Sequence, residues 1–266
     1  MIRQHHRINT AVALSAIAAA LLVAGCGGSS SSGWVAGVNT VRAAYVSSNA
    51  AGYQMAIKVT GNAAGHTINV TGTGTFAQAA DRGRLTIHVS QPTLGGRNLQ
   101  IDYVILGKDV YLKLPASLAG KIPGGKPWLQ LDLSEIGKRA GIQGLSSLVD
   151  NPGENPARLL QILHADSTGT IQTLGHQTID GVHTTALRAT VDVSKVFGGL
   201  RYLPIEAWVD SSNHVRRIVL SETGHVGWQP FSEKVQLDFV KYGPEPVPAA
   251  PPADEVTNIM SLFGTP

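Results

Sequence analysis

The chain has 266 residues, of which only 15% are charged, and its 21 basic and 18 acidic side chains leave a net charge of +3. This near-neutral balance, without a long run of like charges, lacks the clustered Lys and Arg of nucleic-acid binding proteins, so we expect no nucleic-acid partner. A single cysteine excludes an internal disulfide, and 30 Gly among frequent Thr and Val favour many short strands over a helical bundle.

The first 25 residues have the three parts of a secretory signal. Arg3 and Arg7 give a charged start, a mostly apolar stretch covers 11–23, and small residues precede Cys26. Because this stretch is shorter than the ~20 residues that span a bilayer, residues 1–25 are predicted to be a signal peptide rather than a transmembrane helix. Without them the net charge is +1, from 19 basic and 18 acidic side chains.

Val23-Ala24-Gly25-Cys26 resembles the lipobox of bacterial lipoproteins. The resemblance implies cleavage before Cys26, an S-diacylglycerol group on its thiol and an N-acyl chain such as palmitate on the new amino terminus. Residues 26–33 would then be the acylated cysteine and a flexible Gly/Ser tether. We therefore expect an exported lipoprotein, anchored to the outer face of the cell membrane through Cys26. An ordinary exported protein with a free cysteine is the alternative.

The apolar spacing after the tether changes from helical to strand-like. An apolar stripe at helical spacing, with Trp34 at its start and Tyr45 at its end, predicts one helix. Alternation of apolar and polar residues then predicts strands that are polar on one face, as in an antiparallel sheet covering a core on one side. These strands are expected at 53–60, 68–70, 85–89, 99–106, 110–114 and 128–133.

Residues 134–166 break the strand pattern and predict short helices, the best of which begins at Asn155-Pro156. Beyond them, Asp180-Gly181 predicts a tight hairpin between two strands. Strands are expected at 169–179, 182–193, 205–209, 215–222 and 235–239.

The last part of the chain, residues 244–266, differs in composition from the rest. Five prolines between 243 and 252 predict an extended linker, because proline cannot donate to a strand ladder. Apolar residues at helical spacing follow and predict a short amphipathic helix. They are Val256, Ile259, Met260 and Phe263.

Three segments, in this order, carry a family resemblance: KPWLQLD at 126–132, GHQTIDGVHTT at 175–185 and LPIEAWVD with HVRRI within 203–218. With the lipobox and the leading helix, they resemble the LppX/LprG-type bacterial lipoproteins, relatives of the LolA and LolB carriers. The similarity covers residues 34–243, which would form one LolA-like lipid-binding domain. It implies an α+β fold in which a curved antiparallel half-barrel is covered by a few short helices, with an apolar cavity between them.

The resemblance also implies a function. Acyl chains of a lipid, glycolipid or lipoprotein would bind in the cavity for transfer within the cell envelope, with an envelope transporter as a candidate partner. The predicted strands and helices support the cavity independently of the resemblance. A wide sheet under few helices leaves an apolar gap unless bulky side chains fill it. Strand parity assigns to the cavity face Met55, Ile57, Ile68, Val70, Leu85, Ile87, Ile101 and Tyr103.

Catalytic and metal-binding motifs are missing from the sequence. No histidine stands at a metal-ligand spacing, no serine lies in a Gly-x-Ser-x-Gly setting, and Gly72-Thr73-Gly74 is interpreted as strand. We therefore expect no enzyme, no metal and no cofactor besides the acyl groups on Cys26. Trp128 and Trp208 face opposite to their aliphatic neighbours, which places them on the outer face or under a loop rather than against a ligand. An envelope sensing or interaction module with the same fold and no lipid cargo remains the alternative function.

Overall fold

The computed structural model describes residues 44, 52–63, 66–90, 98–120, 125–132, 171–192, 202–226 and 228–259. Most of these residues lie in strands, together with a four-residue α-helix at Ala116–Ala119 and 3-10 turns at Gln78–Ala80 and Ala253–Glu255. The strands are β1 Tyr53–Ala63, β2 His66–Ala77, β3 Arg82–Ser90, β4 Asn98–Leu106, β5 Asp109–Lys113, β6 Trp128–Asp132, β7 Gln172–Ile179, β8 Val182–Asp192, β9 Tyr202–Asp210, β10 Val215–Val226, β11 Gln229–Tyr242 and β12 Val256–Asn258.

All of these strands belong to one curved, unclosed sheet in the order β12-β6-β5-β4-β3-β2-β1-β11-β10-β9-β8-β7. Strands β1 to β6 form one antiparallel meander and β7 to β11 another. The two meanders join where β11 returns beside β1. The predicted curved antiparallel sheet is therefore confirmed.

Two tight turns show how the sequence sets the hairpins. Asp180 and Gly181 have φ values of 48° and 81°, the double positive φ that a type I′ turn requires, and they join β7 to β8 as predicted. Gly107, with φ 59°, opens the turn between β4 and β5. That loop has two residues, because Leu106 already pairs with Asp109, so Asp109 belongs to the strand.

The core lies against one face of the sheet. Side chains of alternate residues on β1 to β6 and β8 to β11 form one connected cluster of buried apolar groups. Ala44 is helical, fully buried and part of this cluster. The rest of the predicted helix at 34–45, and the predicted helices within 134–166, lie outside the described residues. Within the described ranges, the α-helical residues are Ala44 and Ala116–Ala119, so the predicted covering helices are not supported there.

The predicted C-terminal amphipathic helix is wrong where the structure describes it. Residues Val256–Asn258 form β12, which pairs in parallel with Trp128–Gln130 at the edge of β6. Lys126 Nζ adds a hydrogen bond of 3.0 Å to the Val256 carbonyl. An edge strand offers a row of unpaired backbone groups, whereas a helix of two turns is marginal in isolation. Met260 and Phe263 lie outside the described residues.

Residues 243–259, here called the C-terminal strap, carry the chain from β11 to β12. The proline-rich part lies outside helices and strands, and it is attached to the sheet at several points. The Gly243 amide donates to the Gly52 carbonyl at 2.9 Å, and Gln54 Nε2 donates to Glu245 at 3.0 Å. Arg82 reaches the Pro248 carbonyl at 3.5 Å. The strap therefore links the ends of β1 and β3 to the edge at β6.

Candidate functional site

The eight residues predicted for the cavity face all lie on one face of the sheet and belong to one buried cluster. Two cross-strand rows show the arrangement. Met55, Gly74, Leu85 and Tyr103 pair in sequence across β1 to β4, and Ile57, Gly72, Ile87 and Ile101 form the next row. None of the eight side chains is more than 7% exposed. Their shared face is thus established by the register, and their contact with a ligand stays a prediction.

The apolar face extends well beyond those eight residues. On one side it continues through β5 and β6, and on the other through β11, β10, β9 and β8. The residues predicted for the cavity face end at β4, although the same alternation within each later strand indicates the others. The missed residues include Val110, Leu112, Leu129, Leu237, Ile218, Ile205 and Leu187.

Tyr103 places a polar atom within this apolar face. The residue is 1% exposed, and within the described part of the chain its hydroxyl has no hydrogen-bond partner. Burial raises the pKa of Tyr103 to about 12, so the hydroxyl stays protonated at neutral pH. The Tyr242 hydroxyl, in contrast, donates to the Val215 carbonyl at 2.6 Å, and Trp208 Nε1 donates to Gln177 at 2.7 Å.

Two glutamates continue the apolar face toward the tip of the β10–β11 hairpin. Glu222 and Glu233 are directly opposite each other across the two strands, in the same parity as the buried Val235. Burial raises the pKa of both carboxyl groups, and the charge of Glu222 raises that of Glu233 further. In the next pair on the same face, the Phe231 ring lies over Gly224, since a Cβ built there would be 2.7 Å from the ring. Along β10 and β11, the buried apolar cluster thus ends at a pair of acidic side chains, with Phe231 beyond them.

The opposite, outer face is mainly polar. Trp208 lies there in a small separate cluster with Ile179, Ala186 and Val219, as predicted for this residue. Trp128 is likewise on the outer side, with Lys113 Nζ 5.6 Å from its ring centre. An open groove of about 460 Å³ crosses β1, β2 and β3 on this face. Its lining includes threonines and Arg84, so it is not the predicted apolar cavity.

In the described ranges, no three His, Cys, Asp or Glu side chains come together in a way that could hold a metal ion. Nor does that part of the chain contain a helix with the length and apolar character needed to cross a membrane. Cys26 lies outside the described residues, so its acylation stays a prediction.

Comparisons with known proteins find similar solved structures. No protein-family model matches the chain, and no curated protein matches it. The crystal structure of lipoprotein LppX from Mycobacterium tuberculosis is 18% identical with a TM-score of 0.47, covering 81% of this chain and 98% of LppX. LprF from Mycobacterium bovis is 14% identical with a TM-score of 0.46, covering 80% and 96% of the two chains. The MucA/MucB complex of Pseudomonas aeruginosa is 10% identical with a TM-score of 0.33, covering 82% of this chain and 62% of that one.

The LppX and LprF matches agree with the resemblance that the sequence motifs predict. At these identities and TM-scores they carry no conclusion about a ligand, an anchor or a partner. The solved structures to which this chain is similar therefore include lipoproteins of the LppX type.

Proposed function

We propose that this chain is a membrane-anchored lipoprotein that binds acyl chains of a lipid, glycolipid or lipoprotein against the apolar face of its sheet, for transfer within the cell envelope. The observation that carries the proposal is the extent of that face, which runs from β6 to β8 in a sheet that does not close. In this proposal the protein is not an enzyme, because its work is the physical transfer of apolar chains.

The energetics of such binding follow from the chemistry of the face. Each methylene removed from water contributes about 0.8 kcal/mol, so an acyl chain of ordinary length gains enough to leave a bilayer for a protein surface. Because the eight predicted residues are no more than 7% exposed, a chain would enter by displacing the groups that cover them. The acidic pair Glu222 and Glu233 marks one place where the apolar surface ends and a polar head group could remain in water.

Anchoring is the second part of the proposal and depends on Cys26. Replacement by serine removes the thiol that would accept the diacylglycerol group. We expect Cys26→Ser protein either to keep its signal peptide uncleaved or to leave the membrane fraction in soluble form, because it lacks the two or more acyl chains that firm retention needs. Cell fractionation with a high-salt wash measures this. Mature-length Cys26→Ser protein that stays with the membranes would contradict the anchor.

Lipid cargo can be tested directly by mass spectrometry. The full chain is purified from its membranes and extracted with organic solvent, and the same procedure is applied to cells that lack the chain. We expect acyl lipids enriched in the first extract at a fixed ratio to protein. An extract that matches the control would overturn lipid binding and favour the sensing or interaction module.

A further inference from the structure

Tyr103 lies on β4, within the apolar face. Its cross-strand neighbours are Leu85 on β3 and Leu112 on β5, and its neighbours along the same face of β4 are Ile101 and Ile105. All are apolar, and the Tyr103 hydroxyl has no hydrogen-bond partner among the residues that the structure describes.

An unpartnered hydroxyl in such a place is unfavourable. Buried polar groups in folded proteins are nearly always hydrogen-bonded, because leaving one unpaired forfeits its interaction with water. Phenylalanine would fill the same space without that cost. A tyrosine at position 103 therefore indicates an acceptor that is brought to this point by a bound molecule.

We propose that Tyr103 donates a hydrogen bond to the carbonyl oxygen of a neutral acyl ester bound on the apolar face. This inference rests on the proposed function and narrows it, because it distinguishes an esterified lipid from a hydrocarbon. The acceptor must be neutral, since a carboxylate placed among Leu85, Leu112 and Ile101 would be an unpaired buried charge.

The protonation state of the phenol fits this role. Desolvation raises the Tyr103 pKa to about 12, so at neutral pH the hydroxyl stays protonated, carries no charge and donates a hydrogen bond. A carbonyl oxygen is an acceptor only, which complements this donor.

The test compares binding of three probes with chains of similar length: methyl palmitate, palmitic acid and octadecane. Each is offered to the full chain in a common Cys26→Ser background, and the protein-bound amounts are measured by gas chromatography and mass spectrometry. The variant is Tyr103→Phe. The matched control is Tyr111→Phe, which makes the same change on the outer face of the neighbouring strand β5.

We expect the background protein to prefer methyl palmitate over both other probes. Tyr103→Phe should lower the preference for the ester over octadecane by about tenfold, as expected for the loss of one hydrogen bond in an apolar site, and should leave octadecane binding unchanged. Tyr111→Phe should retain the preference. An unchanged preference in Tyr103→Phe, or a preference of the background protein for palmitic acid, would overturn the inference and leave lipid binding standing.

Two further results separate other failures. A background protein that binds none of the probes would overturn the proposed function itself. The unfolding temperature of lipid-free Tyr103→Phe protein should equal or exceed that of the background protein, because the unpaired hydroxyl is removed. A lower unfolding temperature would show that the hydroxyl has a structural partner within the protein, and would overturn the inference.

Discussion

Gly52 lies where three stretches of backbone meet. A Cβ at this position would be 2.6 Å from the Phe76 carbonyl oxygen and 2.8 Å from that of Gly243, and backbone atoms cannot move aside as a side chain can. We therefore expect Gly52→Ala to lower the free energy of unfolding by about 1–3 kcal/mol, the usual cost of overpacking. Urea denaturation followed by circular dichroism measures the change.

The matched control for this substitution is Gly120→Ala. Among the described residues its Cβ would meet the Ala116 carbonyl alone, at 3.9 Å, which is an ordinary contact. Stability should be unchanged or slightly raised, because alanine reduces the freedom of the unfolded chain. Equal losses in the two variants would show that the close approach at Gly52 is not the cause.

Ile87 tests whether the apolar face takes up lipid. Its side chain is 2% exposed and lies in a row with Ile57 and Ile101, so little free space surrounds it. We expect Ile87→Trp to cost about 1–3 kcal/mol in the lipid-free protein. Because a ligand that binds the native state raises the unfolding temperature, the indole should also reduce the rise that added acyl ester produces.

His88→Trp is the control for that experiment. His88 follows Ile87 on β3 but is exposed on the outer face. The His88→Trp protein should show the same lipid-induced rise in unfolding temperature as the unchanged protein. A full rise in Ile87→Trp would mean that lipid does not bind over this part of the sheet.

At the scale of elements, the β10–β11 hairpin contains a like-charge pair. Glu222 and Glu233 are opposite each other, and such pairs destabilise a ladder when both are ionised. Their pKa values are raised in the folded state, so the folded protein binds protons more tightly than the unfolded chain does. This contribution is fully present below the unfolded pKa and is lost as the pH rises through the folded pKa.

Glu233→Gln should remove much of that dependence. At neutral pH we expect the variant to be more stable by a few tenths of a kcal/mol up to about 1 kcal/mol, the scale of cross-strand pairs. Its stability should also change less between pH 7 and the acid side of the transition. Glu206→Gln on β9, where Glu206 pairs with Arg188, is the control and should be destabilised or neutral. A pH dependence that Glu233→Gln leaves unchanged would contradict this account.

At the scale of the whole molecule, the C-terminal strap covers one edge of the sheet. Thr257 is the central residue of β12 and is opposite Leu129 on β6. Thr257→Pro removes a backbone donor from β12, so we expect β6 to become an exposed edge. Size-exclusion chromatography with light scattering should then detect self-association that increases with concentration, together with a lower unfolding temperature.

Ala250→Pro provides the comparison within the same strap. Ala250 is exposed and extended, outside any strand, and it precedes prolines that already favour this conformation. The variant should stay as soluble and as stable as the unchanged chain. A monomeric Thr257→Pro protein would show that β12 does not protect the edge.

Local patterns in the sequence predict where the strands of the sheet lie and which face of each strand is buried. Because side chains alternate between the two faces of a strand, the apolar positions within each strand show which face is buried, and Ile57, Ile87 and Tyr103 lie on one face as expected. The turn at Asp180 and Gly181 is also predictable from local sequence, because its positive φ angles favour these two residue types. Predicted strands ended too early toward the β10–β11 tip, where Gly224 and Glu233 occupy positions of the face that is apolar elsewhere.

Which distant strands pair, and which edge the C-terminal strap joins, follow from the tertiary structure alone. The pairing of β1 with β11 joins residues that are far apart in sequence, and no local pattern encodes it. Val256–Asn258 has helical spacing, yet it pairs with β6 because that edge offers backbone partners which a local pattern cannot reveal. The unpaired hydroxyl of Tyr103 and the opposition of Glu222 and Glu233 likewise depend on cross-strand neighbours, since both are properties of pairs brought together by register.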